Sequence, residues 1–210
     1  MSTPSLLTFD VFGTVLDWRT GMIDAARAEG VDLTGHAFED VIGYQALIER
    51  GPYRTYSDIL AESLVRVARM GRSAAQRVAG SAGRWPLFPD SADGIRTLMR
   101  LAPCVAMTNS DQAHGIDVQK QLGFRMNGWI CAEDVRCYKP APEFWTAVSA
   151  RRNVAFGPDW WHVSAYADYD METASKLGLT TVFVERPHKV WGPSNWSAPD
   201  LRAVAALIRV

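Results

Sequence analysis

Five short apolar runs constrain this chain more than any other feature: residues 6–9, 104–107, 128–131, 162–165 and 180–184. Each is too brief for a helix and lacks polar alternation, which marks a strand buried on both faces of a parallel sheet. After the second of them, helical patterns alternate with the runs, at 113–122, 142–152 and 171–177, and another at 91–100 precedes it. That alternation builds βαβ units. Right-handed crossovers then bring every strand's C-terminal end to one edge, where open α/β sheets bind ligands. The fold class expected is α/β, a Rossmann-like parallel sheet flanked by helices.

Residues 18–85 break the rhythm. They carry helical periodicity at 22–28, 37–48, 56–70 and 73–82, and no convincing strand. The chain re-enters through Trp85-Pro86-Leu87-Phe88-Pro89, whose prolines resist helix continuation. The reading is a core domain over 1–17 and 86–210, with a small helical cap over 18–85 inserted after the first strand. Residues 187–199 read as a loop before a last helix at 201–208.

The 22 basic residues nearly balance the 23 acidic ones and are scattered, so no footprint for nucleic acid is expected. No apolar run approaches the roughly 20 residues of a membrane span. Met1-Ser2-Thr3-Pro4 has no basic segment or cleavage site of a signal peptide. Cys104, Cys131 and Cys137 form neither a CxxC pair nor a disulfide framework, and Cys104 and Cys131 read as buried thiols. The expected setting is a reducing cytoplasm, the expected partner a small molecule, and the candidate assembly a homodimer.

An aspartate closing a buried strand demands partners. Asp10 does so in Phe9-Asp10-Val11-Phe12-Gly13-Thr14, where Gly13 permits a tight turn and Thr14 can hydrogen-bond the carboxylate. Backbone N–H groups of such a turn can support developing negative charge. Thr108 and Asn109 end the second strand and are placed to donate into the same pocket. Lys139 precedes Pro140, hence lies outside a helix, and an ammonium there can keep Asp10 ionised. Asp170 opens a helix, as an N-cap or as a partner of Lys139 or of a water. His162 reads as a core histidine.

In order and spacing these segments resemble the haloacid dehalogenase (HAD) superfamily. The matching motifs are Asp10 to Val15, Met107-Thr108-Asn109-Ser110, Ala132 to Pro140 with Lys139 at the lysine position, and Ser164 to Asp170. HAD phosphatases carry a second aspartate two residues after the nucleophile, where this chain has Phe12. They also hold Mg²⁺ partly through an aspartate five residues before the Asp170 position, where it has Ala165. The resemblance is instead to the type II 2-haloacid dehalogenase branch. It implies no metal, no cofactor, and an aspartyl ester of Asp10 that water hydrolyses. Catalytic residues implied are Asp10, Thr14, Thr108, Asn109, Lys139 and Asp170, with Val11, Phe12, Trp18, Tyr44, Ser110, Trp145 and Tyr166 as substrate contacts.

Three positions depart from that branch. Its cap arginine falls near Tyr44, with Arg50 the nearest substitute, its water-positioning Ser and Asn fall on Ala165 and Ala167, and its Tyr falls on Trp145. Gln45, Tyr53, Arg54 and Tyr56 are further candidate contacts, and Arg19 is a candidate for a substrate carboxylate. Two alternatives stay open: a Mg²⁺-dependent phosphatase with ligands moved to Asp134, Asp168 or Asp170, and a degenerate HAD fold that binds without turnover.

Overall fold

The computed structural model describes residues 3–208; Met1 and Ser2, on which the N-terminal reading partly rests, and Arg209 and Val210 lie outside them. The five apolar runs form β1 (Leu6–Phe9), β2 (Cys104–Thr108), β3 (Gly128–Cys131), β4 (Trp160–Ser164) and β5 (Thr180–Val184). A sixth strand, β6 (Trp196–Ala198), completes a parallel sheet in the order β3-β2-β1-β4-β5-β6. β6 corrects the loop reading of 187–199. Three residues at a sheet edge, beyond Pro193, carry too little pattern to be seen in sequence.

Burial on both faces follows a period of two. Leu7, Phe9, Cys104, Ala106, Trp161, Val163, Val182 and Val184 face one apolar core. Leu6, Val105, Met107, Ile130 and Trp160 face the other, against Phe144, Trp145 and Val148 of α8 (Pro142–Arg152). The sheet's remaining helices are α5 (Ser91–Leu98), α6 (Gln112–Leu122), α7 (Ala132–Val135), α9 (Glu172–Lys176) and α10 (Leu201–Leu207).

Between β1 and β2 run α1 (Trp18–Ala28), α2 (His36–Glu49), α3 (Tyr56–Arg66), α4 (Arg72–Gly80) and a 3₁₀ turn at Ala82–Arg84. α3 ends four residues short of the 56–70 pattern, and Arg69 then adopts a left-handed φ of 58°. The chain leaves and re-enters the sheet side by side. Asp17 N–H donates to Pro86 O at 2.8 Å, and Phe88 N–H to Val15 O at 3.1 Å. Asp111 fastens this helical segment to α6 by accepting from Tyr56 N at 2.8 Å and Ser57 N at 2.9 Å, the orphan donors of α3.

Strand order reverses between β1 and β4. That topological switch point is where a doubly wound sheet opens a crevice beyond its strands' C-terminal ends.

Candidate active site

Asp10 is the first residue past β1, and its N–H donates to Val163 O of β4 at 3.0 Å, so it stands at the switch point. The next turn is tight because Gly13 takes φ 101°, open to glycine alone without strain. A Cβ on Gly13 would also run into the Tyr166 ring, which lies across the turn. Thr14 Oγ1 donates to Asp10 Oδ2 at 2.8 Å and accepts from Ala165 N at 3.0 Å, fixing the carboxylate and stitching the β1 and β4 loops together.

Lys139 is 2% exposed, and its Nζ lies 3.0 Å from Asp10 Oδ1 and 2.8 Å from Asp170 Oδ1. Two carboxylates therefore share one buried ammonium. Burial raises Asp10 to about 6, with Lys139 only partly offsetting it and the Asp170 charge adding to the rise. Burial also works against Asp170, but Lys139 and His162 outweigh it and hold that carboxyl at about 2. The ammonium, disfavoured by burial, is kept charged by both acids.

Behind Asp170 stands a buried polar chain. Ser164 Oγ donates to Asp170 Oδ2 at 2.8 Å, and His162 Nε2 faces Oδ1 at 3.5 Å. Thr8 Oγ1 accepts from Trp160 Nε1 at 2.8 Å and lies 2.9 Å from His162 Nδ1. Burial pushes His162 below its usual range, the state of a neutral core imidazole. Asp170 does not open a regular α-helix as expected. It lies in a π-helical turn, Ala167–Met171, that precedes α9.

A cavity of about 830 Å³ lies against this centre, walled by Phe12, Trp18, Asn109, Lys139 and Tyr166 on one side and by α2 on the other. Asp10 is 2% exposed and stands one layer behind Lys139 rather than among the lining residues. Trp18 Nε1 donates to Tyr166 Oη at 2.7 Å, which leaves the Tyr166 hydroxyl proton free for another acceptor.

Several sequence-predicted residues have other geometry. Asn109 brackets the Lys139 backbone, accepting from its N–H at 2.7 Å and donating to its carbonyl at 2.9 Å. Thr108 and Ser110 are fully buried and bond each other at 3.3 Å, with no bond to Asp10. Val11 is fully buried; its carbonyl accepts from Thr14, Val15 and Leu16, and its side chain is core. Trp145 packs on Trp160 and His162 in the core beneath the sheet, not in the cavity. Tyr44 bonds Glu62 at 3.2 Å and lies off the cavity stripe of α2, which runs through Phe38, Glu39, Ile42, Gln45, Ala46 and Glu49. Arg19 is tied to Glu39 at 2.7 Å, and Asp134 accepts from the Gln112 side chain at 2.7 Å. Of the further candidates, Gln45, Tyr53 and Tyr56 line the cavity, as does Arg19 despite its tie to Glu39, whereas Arg54 does not and pairs with Glu62 at 2.8 Å.

Sequence reading missed Glu49, Tyr169 and His188 in the cavity, and Arg186 and Asp90 beneath it. The helical spacing 38, 42, 45, 49 could have found Glu49. Arg186 Nε donates to Thr14 O at 2.9 Å while its guanidinium makes two 2.8 Å bonds to Asp90, so it steadies the Asp10 turn from below. Nothing local in sequence links residues 96 positions apart.

The residues do not suit a divalent cation. Phe12 and Ala165 offer no side-chain oxygen, and the Lys139 ammonium fills the space between Asp10 and Asp170. Among the described residues no group of three His, Cys, Asp or Glu side chains could hold a metal.

Fold and site together define a doubly wound α/β hydrolase with an aspartate–lysine–aspartate centre at its switch point. A sequence model described as haloacid dehalogenase-like hydrolase matches residues 4–158, and the chain belongs to that family. Its structure is similar to a defluorinating L-2-haloacid dehalogenase (24% identity, 100% of this chain and 99% of that one, TM-score 0.84). It is also similar to the L-2-haloacid dehalogenase of Xanthobacter autotrophicus (17% identity, 98% of each chain, TM-score 0.82). A Bacillus subtilis protein described as a HAD-hydrolase and bound to magnesium has the same architecture (14% identity, 100% of each chain, TM-score 0.81). At these identities the likeness establishes the fold. A search of curated protein sequences gives no match. No helix among the described residues is long and apolar enough to cross a membrane.

Proposed function

We propose that this chain is a metal-independent, dehalogenase-like hydrolase acting on a 2-substituted carboxylic acid, with 2-haloacids as the first substrates. The observation that carries the reading is the Asp10 carboxylate, held between the Thr14 hydroxyl and the Lys139 ammonium at the end of the central strand. An Asp10 oxygen attacks C2, a C–O bond forms, and the carbon–halogen bond breaks with its electron pair on halide. Water then adds to the ester's Cγ. Collapse of that adduct returns the Asp10 carboxylate and releases the 2-hydroxy acid and one proton.

Halide needs no proton to depart, so an apolar Phe12 suffices where a phosphatase uses an acid. Lys139 and Thr14 orient the carboxylate, Asp170 holds Lys139, and Asn109 holds the lysine's backbone. Ser164 is engaged with Asp170, so it does not replace the water-positioning residues absent at Ala165 and Ala167. The Tyr166 hydroxyl, whose proton is free, is a donor for that task. The helices of residues 18–85 act as a cap that closes the cavity over Asp10, and the core comprises 1–17 and 86–210.

One observation favours a second reading, a HAD fold that binds without turnover: Asp10 is only 2% exposed, so a carbon reaches it only if Lys139 or the cap shifts. Halide release from chloro-, bromo- and fluoroacetate separates the two. Release that requires Asp10, together with a mass increase on the Asp10 peptide during turnover, supports hydrolysis. Equal release by wild type and Asp10→Asn removes the covalent mechanism.

A further inference from the structure

A carboxylic-acid substrate needs a seat for its carboxylate, and the obvious guanidinium, Arg19, is spent on Glu39 at 2.7 Å and lies over the Phe38 ring. The α2 wall of the cavity offers a different set. Gln45 and Glu49 sit one helical turn apart and both line the cavity. Gln45 is 5% exposed, and its buried Nε2 has no acceptor among the described residues, an expensive state for an amide. Glu49 has no hydrogen-bond or ion-pair partner among the described residues, and Arg50 beside it has no acidic partner.

We propose that Glu49 is a specificity-determining residue that receives the substrate's carboxylate, donating a carboxyl–carboxylate hydrogen bond with the Gln45 amide as second donor. A donor is what Glu49 is at neutral pH. Burial raises its carboxyl to about 8, although Lys139 opposes that rise. Its position as the last residue of α2 adds to the cost of ionisation, because the helix's orphan carbonyls gather there. The groups that share its surroundings are Lys139, Arg50 and the Tyr56 and Tyr138 hydroxyls. A carboxylate arriving beside Glu49 makes the pair hold one proton more tightly, as two neighbouring carboxyls do. An anionic ligand therefore binds the acid form, and above pH 8 it must bring a proton with it.

The inference deepens the proposed function, resting on its carboxylic-acid substrate but not on the covalent step. The test is therefore binding without turnover: calorimetric titration of the full chain with 3-phenylpropionate, which has no leaving group, and with its amide. Wild type should bind the acid about tenfold more weakly at pH 9 than at pH 7, taking up nearly one proton per ligand at pH 9. Its affinity for the amide should be lower and unchanged with pH. Glu49→Gln, which keeps a donor, should hold the acid within about threefold of wild type at pH 7 and lose both the pH dependence and the proton uptake. Gln45→Ala should weaken the acid several-fold, and Asp10→Asn should still bind it. The proposal is overturned if wild type fails to bind the acid, binds it equally at both pH values, or binds the amide as well. It also falls if proton uptake persists in Glu49→Gln.

Discussion

Two buried ionic clusters lie a few residues apart in this protein and answer the same problem differently. Beneath the turn, Asp90 and Arg186 pair one to one. The guanidinium meets both carboxylate oxygens at 2.8 Å, and Leu201 N–H adds a third bond at 2.8 Å. Burial works against Asp90, but these donors outweigh it and hold the carboxyl below its usual range. Above the turn, Asp10 and Asp170 divide a single ammonium, and the division is unequal: Asp170 is held low and Asp10 is pushed up. Both clusters are shielded from solvent, but Asp10 and Asp170 lie deeper than Asp90, and the stoichiometry differs as well. A matched pair fixes structure, whereas the third member of an unmatched set keeps a reactive lone pair.

The sharpest break in that comparison is removal of Asp10. Asp10→Asn should cut halide release by about a thousandfold or more while the chain still folds, checked by turnover beside a thermal melt. Near-wild-type turnover would mean that the upper cluster is as structural as the lower. Next comes Arg186→Met, which strands the Asp90 carboxylate and should destabilise by about 3–5 kcal/mol in urea unfolding. Loss of activity without loss of stability there would turn Arg186 into a direct participant.

The clusters should also respond to pH with opposite sign. Asp10 must be ionised to attack, so kcat/KM should fall about tenfold per unit below pH 6, level off above it, and fall again above about pH 8, where Glu49 loses the proton that seats the substrate carboxylate. Its raised pKa means the native carboxyl keeps a proton that the unfolded chain has released. Ionising Asp10 therefore lowers stability as pH rises from 3.8 to about 6. Asp90 is depressed, so its contribution is full above 3.8 and is lost as pH falls toward its folded value. The stability gap between wild type and Arg186→Met should accordingly narrow in acid. The smallest effect belongs to Trp145→Phe: about 1–3 kcal/mol of stability and a KM within twofold, since this side chain is core. A large KM change would restore Trp145 as a substrate contact.

The sequence was most legible where short-range rules act. Five of six strands, the inserted helices, and the order of Asp10, Thr14, Lys139 and Asp170 could be read from apolar period, turn chemistry and motif spacing. Tyr44 and Trp145 were misplaced because a motif register fixes position along a helix but not the direction a side chain takes. On α2 the cavity stripe runs through Gln45 and Glu49, one residue off Tyr44.

What the sequence determined alone was five strands of the sheet, because burial on both faces demands uninterrupted apolar runs, and the residue at the end of the central strand. Tertiary structure decided the rest of the site. It set Lys139 between two acids, from segments 129 and 31 positions away, and Arg186 beneath a turn 172 positions earlier. It left Glu49 and the Gln45 Nε2 in a cavity wall without partners among the described residues. Charge is a through-space property, and a chain folded into βαβ crossovers brings together groups whose separation in sequence carries no trace of their distance.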